Sequence, residues 1–224
     1  MAEREAAVQD TPDPPPGAVP RDPPLTARGA RTRASLVAAA RAVFERDGYL
    51  ESRLSDITQE ARCSIGTFYT YFSDKEKILM AVLDAAQHDM LHPGMGRLNE
   101  DESDPVDVIE ASHRAYFESY RRNAKLMMVF EQVATVNPEF RTLRGKRSEA
   151  FRERNARSIA DLQEQGLVDR SLDPRKTSLA LNGMISRLAY HVFALGLEPD
   201  LDIEDLVEIS TRLWANALRL PLPD

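Results

Sequence analysis

Apolar residues recur along this chain every three to four positions, and no stretch holds the two-residue alternation of a strand, so the pattern predicts an all-α protein. From Arg33 to Asp47, Leu36, Val37, Ala40, Val43 and Phe44 fall on one face, and Gly48 stops the helix. Leu54, Ile57 and Ala61 mark a second, short helix. Ser64 is placed to cap a third by accepting from the backbone N–H of Thr67, and Ile65, Phe68 and Phe72 turn its apolar side to the core. Ser73 caps a fourth, which carries Ile78, Leu79, Val82, Leu83 and Ala86 and ends near His92, Pro93 and Gly94.

A linker with Gly94, Gly96 and an acidic run (Glu100, Asp101, Glu102, Asp104) follows. Pro105 then opens a long helix with the stripe Ile109, His113, Tyr116, Phe117 and Tyr120. A short apolar helix spans Leu126 to Val136, and a long charged one runs from Pro138 to Gln165, closed by Gly166. The stretch from Ser178 to Leu195 is apolar almost all the way round, so it must be covered on two sides. Leu201 to Leu220 also carries a broad apolar band, with Leu206, Ile209, Leu213, Trp214, Ala217 and Leu218. More apolar surface than one core can bury predicts a homodimer interface formed by Asn182, Arg187, His191, Leu206, Leu213, Trp214 and Ala217. The other reading is a central core helix in a monomer. Polar side chains on the first of these helices, Asn182, Arg187 and His191, need partners where they are buried, either across the dimer, the first choice, or in a ligand.

Seven of the fourteen prolines fall in residues 1–25, too poor in apolar residues to bury a face, so that segment is expected to be a disordered tail. The predicted domains are residues 26–92, a small helical unit, and 104–224, a larger one. A net charge of −7 excludes a protein that coats nucleic acid indiscriminately. Between Thr26 and Ala81, however, nine basic residues face seven acidic ones, and Arg28, Arg31 and Arg33 stand where no acid intervenes between Pro23 and Phe44. This reads either as a basic entry arm for local phosphate contact or as a solvated charged face. The single cysteine, Cys63, excludes an intrachain disulfide and a cysteine-rich metal site. No segment is apolar and long enough to enter a membrane, and the cytoplasm is the expected compartment. Four scattered histidines and no pairing of nucleophile with base leave no catalytic constellation, so no enzyme is expected; a helical enzyme is the remote alternative. His88 and His92 have the spacing of a metal pair but no third ligand, and neither metal nor cofactor is expected.

The segment Arg53–Tyr71 puts two short helical patterns and a tight turn into some twenty residues, with small, polar and aromatic residues on the second: the make-up of a helix-turn-helix, about 53–72. The run ASLVAAARAVFERDGYLESRLSDITQEARCSIGTFYTYFSDKEKILMAVL resembles the DNA-binding domain of the TetR family of bacterial transcriptional regulators. Its most specific part is SIGTFYTYFSDKEKIL, where Gly66, Thr67, Phe68, Tyr69, Tyr71, Phe72, Lys75 and Leu79 stand where the family pattern expects them. The resemblance implies a homodimer that reads a double-stranded DNA operator with its N-terminal helices. It further implies a larger domain that binds a small molecule and releases the operator. An activator, or a regulator answering to a metal or a protein, has the same fold.

By that resemblance the recognition helix is Ser64–Tyr71. Ser64, Ile65, Gly66, Thr67, Tyr69, Thr70 and Tyr71 are the expected DNA contacts, the two tyrosines being outward unless they simply pack. Phe68 and Phe72 are scaffold. Arg31, Arg33, Ser55 and Lys75 suit phosphates. Three positions depart from the family pattern. Arg53 stands where Thr or Ser usually caps the second helix, so Ser52 or Ser55 substitutes or Arg53 itself reaches phosphate. Arg62 stands where glycine usually turns; if left-handed it costs about 1 kcal/mol, which a phosphate contact offsets. Ile65 stands where a polar or basic residue is common. Candidates for the effector pocket are His113, Tyr116, Phe117, Tyr120, Met127, Met128, Phe130, Met184, Leu188 and Tyr190, each also readable as ordinary core. Such walls suit a small hydrophobic effector.

Overall fold

The computed structural model describes residues 26–91 and 104–221, and every regular element among them is a helix. The N-terminal tail, the linker after Leu91 and His92 lie outside the described residues, as does the side chain of His88. In chain order the helices are α1 (Ala27–Asp47), α2 (Leu54–Glu60), α3 (Ile65–Tyr71), α4 (Lys75–Leu91), α5 (Pro105–Arg122), α6 (Ala124–Val136), α7 (Pro138–Glu164) and α8 (Pro174–Ala189). A π turn at Tyr190–Ala194 continues α8, and α9 (Ile203–Leu218) closes the fold. The chain divides into two compact units between Asp84 and Ala85.

In the first unit α1 begins at Ala27, nine residues before Leu36, the first residue of the apolar stripe. The Thr26 hydroxyl accepts from the N–H of Gly29 at 3.1 Å and caps the helix there. Arg28, Arg31 and Arg33 therefore belong to the first two turns of α1 and do not form a separate arm. Leu36, Ala40, Val43 and Phe44 of α1 are buried together with Leu54 and Ile57 of α2 and with Phe68 and Phe72 at α3. Gly48, at φ 77°, lets the chain leave α1 in a conformation a side chain would resist.

Neither serine beside Arg53 caps α2. The carboxylate of Asp56 reaches back to accept the N–H of Arg53 at 2.9 Å, while Ser52, buried, donates to the Tyr49 carbonyl at 2.9 Å. Ser55 donates to Asp56 instead. The fourth helix is likewise capped by Asp74, which accepts from the Lys77 N–H at 2.8 Å; Ser73 only donates to that carboxylate, at 2.7 Å. An ionised carboxylate outcompetes a neutral hydroxyl for a helix N-terminus because the helix dipole favours the negative charge.

In the second unit α5 packs along α9, α7 along α8, and α6 against α7 and the π turn. Three of its helices start with one device. Asp104, Asn137 and Asp173 each accept backbone N–H groups of the first turn, and each is followed by a proline that has no N–H to satisfy. α9 starts with a reciprocal box between Asp202 and Asp205. Its end carries Arg219 at φ 60°, paired with Asp169 at 2.9 Å.

Candidate DNA-reading surface and effector core

The turn between α2 and α3 is a Schellman closure. The Cys63 N–H bonds the Thr58 carbonyl at 3.0 Å and the Arg62 N–H bonds Gln59 at 3.0 Å, which forces Arg62 to φ 52°. The left-handed geometry expected for this position is thus present, built with arginine where glycine would be unstrained. Arg62 is exposed and, with Arg53 and Arg46, borders an open charged depression that also includes Asp47 and Glu60. Burial pushes the adjacent Cys63 thiol up from its usual range, so it is not an activated thiolate.

α3 begins as expected: Ser64 Oγ accepts from the Thr67 N–H at 3.1 Å and lies 2.9 Å from Thr67 Oγ1. Ser64, Ile65, Gly66 and Thr70 are exposed, and Thr67 and Tyr71 are half-buried. Ile65 is 41% exposed, so it lies outside the core stripe where its spacing placed it. It precedes Phe68 by less than a full turn, and on a seven-residue helix only one ring-sized position per turn faces α1. Nothing inside the chain demands glycine at 66: a Cβ there would meet only Ser64 Oγ, at 3.7 Å, an ordinary contact.

Two expected DNA contacts turn out to be structural. Tyr69 is only 4% exposed and stands edge-on to Phe68 at 5.5 Å, so the ring belongs to the core and not to the outward face. Lys75 is committed within the unit. Its Nζ donates to the carbonyls of Tyr49 and Ser52, both at 2.7 Å, and lies 4.5 Å from the centre of the Tyr49 ring. Burial lowers the Lys75 pKa, partly opposed by Glu51 and Asp56. Arg33 holds its guanidinium 5.1 Å from the Phe72 ring, at the end of α3, while Arg31, Arg53 and Ser55 are exposed. A positive flank beside a short exposed helix N-terminus is what phosphate and base-edge contact requires.

In the larger unit the expected pocket residues form an aromatic core. Tyr116 touches Phe117 (5.8 Å between ring centres), Tyr120 (5.9 Å) and Phe151 (6.0 Å), and Phe193 of the π turn meets Phe117 at 6.3 Å and Tyr120 at 6.4 Å. Phe117, Tyr120, Met127 and Phe130 are buried, and Tyr116, Met128, Met184, Leu188 and Tyr190 are half-buried. Burial raises the phenol pKa of both Tyr116 and Tyr120, so they stay neutral donors. Buried Arg147 places its guanidinium 5.0 Å from the Phe130 ring. Reading the sequence missed Arg147 and Phe193, one hidden in a run of surface charges and the other in an unbroken apolar stretch.

Three expected dimer residues are taken up inside the protomer. Leu206 and Trp214 are buried on the side of α9 that meets α5, where Trp214 stands edge-on to His113 at 5.0 Å. Asn182 accepts from Asn155 Nδ2 at 2.8 Å and donates to Ser178, so it needs no partner from outside. α9 has two apolar faces, and the ring-bearing one won the protomer core because it buries more area. The other face stays bare: Ile209 is 47% and Leu213 44% exposed, with Ala217 beyond them, and Leu179 of α8 is 54% exposed. Arg187 is exposed over the Tyr190 ring, and His191 is half-buried.

A capped two-helix unit with a tight left-handed turn, in a chain whose described regular elements are all helices, defines the class of helix-turn-helix DNA-binding proteins. Residues 36–82 match the family model of the bacterial regulatory proteins of the tetR family. The HTH-type transcriptional regulator EthR of Mycolicibacterium smegmatis is 24% identical over 193 residues, 85% of this chain and 87% of that protein. The HTH-type transcriptional regulator TtgR of Pseudomonas putida is 32% identical over 75 residues, 34% of this chain and 36% of its own. Among solved structures, the fatty acid degradation regulator FadR from Bacillus halodurans superposes with a TM-score of 0.69 at 19% identity, covering 85% of this chain and 97% of that one. The tetR-family match thus lies on the helix-turn-helix region, residues 36–82, and over most of its length the chain is similar to proteins named as HTH-type transcriptional regulators. Among the described residues no helix is long and apolar enough to cross a membrane, and no cluster of metal-ligating side chains occurs.

Proposed function

We propose that this regulator is a homodimeric repressor that leaves a palindromic operator when a small hydrophobic effector enters the larger unit. The observation that carries this reading is the second apolar face of α9, Ile209, Leu213 and Ala217 at four-residue intervals, left bare after the protomer core is complete. Ridges of that spacing pair with a second copy of themselves, and α8 carries a further exposed leucine, Leu179. A dimer then presents two α3 helices for successive major grooves, about 34–36 Å apart. Arg31, Arg33, Arg53, Arg62, Ser64, Ile65, Gly66, Thr67 and Thr70 are the DNA-facing set of this reading. The aromatic core around Tyr116 favours an apolar effector, in keeping with the fatty-acid regulation named for the Bacillus halodurans relative. Its place of action is the cytoplasm, where the operator is.

Retardation of DNA fragments flanking the gene, together with the mass of the particle by light scattering, tests the reading. A dimer that retards a fragment carrying an inverted repeat is expected. A stable monomer in micromolar solution, or no retardation of any such fragment, overturns it.

A further inference from the structure

The seam between α5 and α9 holds three buried polar atoms with no hydrogen-bond partner: His113 Nε2, Trp214 Nε1 and Ser210 Oγ. Buried polar groups in folded proteins are satisfied in the great majority of cases, so three along one helix pair ask for a reason. His113 and Trp214 touch edge to face, at 5.0 Å and 82°. Ser210 lies one helical turn before Trp214, and Thr211, next to it, places its hydroxyl 3.1 Å from His113 Nδ1. We propose that this seam is the effector's head-group subsite, and that a neutral carbonyl oxygen of the effector is taken up there by the orphaned groups of His113 and Trp214. The proposal rests on the effector reading above and names the chemistry of the effector.

The donor set selects that chemistry. An indole N–H can only donate, and in the tautomer that the proposal assigns to His113, with Nδ1 accepting from the Thr211 hydroxyl, Nε2 carries the proton. Both groups are then donors without an acceptor, one carbonyl oxygen offers two lone pairs, and the Ser210 hydroxyl adapts to either role. Burial disfavours the imidazolium, and the guanidinium of Arg114, the residue after His113, is partly exposed and held by Glu110 and Glu204. A carboxylate would thus find no charge to balance it, whereas an ester or amide needs none.

The tail has its own path. From His113 a row of rings runs through Phe117 (6.4 Å) to Phe193 and on to Tyr120, Tyr116 and Phe151. Phe193 is half-buried and is carried by the π turn, where Leu195 N–H reaches back five residues to the Tyr190 carbonyl at 3.0 Å. Such turns are less stable than α-helix and recur at functional sites, which makes Phe193 the wall that yields to an apolar tail.

Trp214 is the one tryptophan of the chain, so intrinsic fluorescence reads the seam directly. Full-length protein is titrated with methyl esters of about six to about sixteen carbons, with alkanes of matched length and with the corresponding carboxylates. Saturable changes in Trp214 emission with esters, roughly tenfold tighter than with alkanes, are expected, and His113→Phe should remove that advantage while leaving the alkane response. Phe193→Ala should speed ester association; it serves as the second test if His113→Phe loses its helical signal. Equal affinity for ester and alkane, preference for the carboxylate, or no emission change with any probe overturns the subsite. Operator retardation by the ligand-free protein, run in parallel, separates the two readings: its loss sinks the repressor, and its presence without any ester response sinks only the subsite.

Discussion

The ammonium of Lys75 lies 4.5 Å from the centre of the Tyr49 ring and donates to the Tyr49 and Ser52 carbonyls, which no helix satisfies. One cation thereby ties the start of α4 to the link between α1 and α2. Replacing it strips the Ser52 carbonyl of its donor in a half-buried site and leaves the Tyr49 carbonyl only the Ser52 hydroxyl, so Lys75→Met should cost about 1–3 kcal/mol in urea unfolding. Unchanged stability with a selective loss of operator affinity would return Lys75 to the role of a phosphate contact.

Gly66 and Arg62 make the opposite pair of cases. Alanine at 66 meets no crowding and should raise helix stability by about 0.5–1 kcal/mol, yet lower operator affinity, because only a DNA backbone pressed against α3 has use for a missing Cβ. Arg62→Gly should relieve about 1 kcal/mol of left-handed strain while weakening operator binding and reducing its salt dependence by about one ion. Thermal melts beside anisotropy titrations at several salt concentrations check both. A variant that gains stability and keeps full affinity removes that residue from the interface.

Tyr69→Ala should destabilise the first unit by about 3 kcal/mol through the cavity it leaves beside Phe68. Tyr69→Phe keeps the ring, so it should preserve both melting temperature and operator affinity to within about 1 kcal/mol. A large affinity loss in the phenylalanine variant, with the fold intact, would show that the hydroxyl reaches DNA after all.

His113 is held neutral by burial, which pushes its pKa down from 6.5 to about 4. The folded-state value is depressed, so between these two values the unfolded chain binds a proton that the folded chain refuses. Stability therefore falls as the pH drops below 6.5. The loss between pH 7 and pH 5 should be about 2 kcal/mol for each His113. The side chains in contact with it, Thr211, Trp214 and Phe117, do not titrate there, and the Arg114–Glu204 ion pair bridging the same helices is partly exposed. His113→Phe should flatten this part of the pH profile; an unchanged slope would assign it to other groups.

Leu213→Glu places a charge on the bare side of α9 and should yield a folded monomer by light scattering with the helical signal retained. Leu206→Glu, two turns earlier on the same helix, should instead unfold the larger unit, because that side chain is fully enclosed. A dimer that survives Leu213→Glu would move the interface elsewhere.

Where the sequence could be read, one rule was at work locally. Ser64 capping Thr67, Pro105 opening α5 and Gly166 closing α7 depend on neighbours within a turn, and the spacing of Leu36, Val43 and Phe44 reports the α1 core directly. Competition between residues was harder to read. Asp56 and Asp74 took caps that Ser52, Ser55 and Ser73 could also have served, and the charge that decided it is invisible to a list of good capping residues. Tyr69 and Lys75 have the make-up of DNA contacts, but the aromatic contact with Phe68 and the two free carbonyls near Tyr49 are tertiary facts. α9 was legible as doubly apolar, while which face the protomer keeps depended on what α5 offers it.

The π turn at Tyr190–Ala194 has a consequence for lineage as well as for binding. A π turn spends one residue more than an α turn over the same advance, so the chain here carries a residue that an uninterrupted α8 would lack. Relatives without it should differ in length by one codon at this place, with matching registers on either side. The presence or absence of that codon would then sort them by the shape of the chamber their helices enclose.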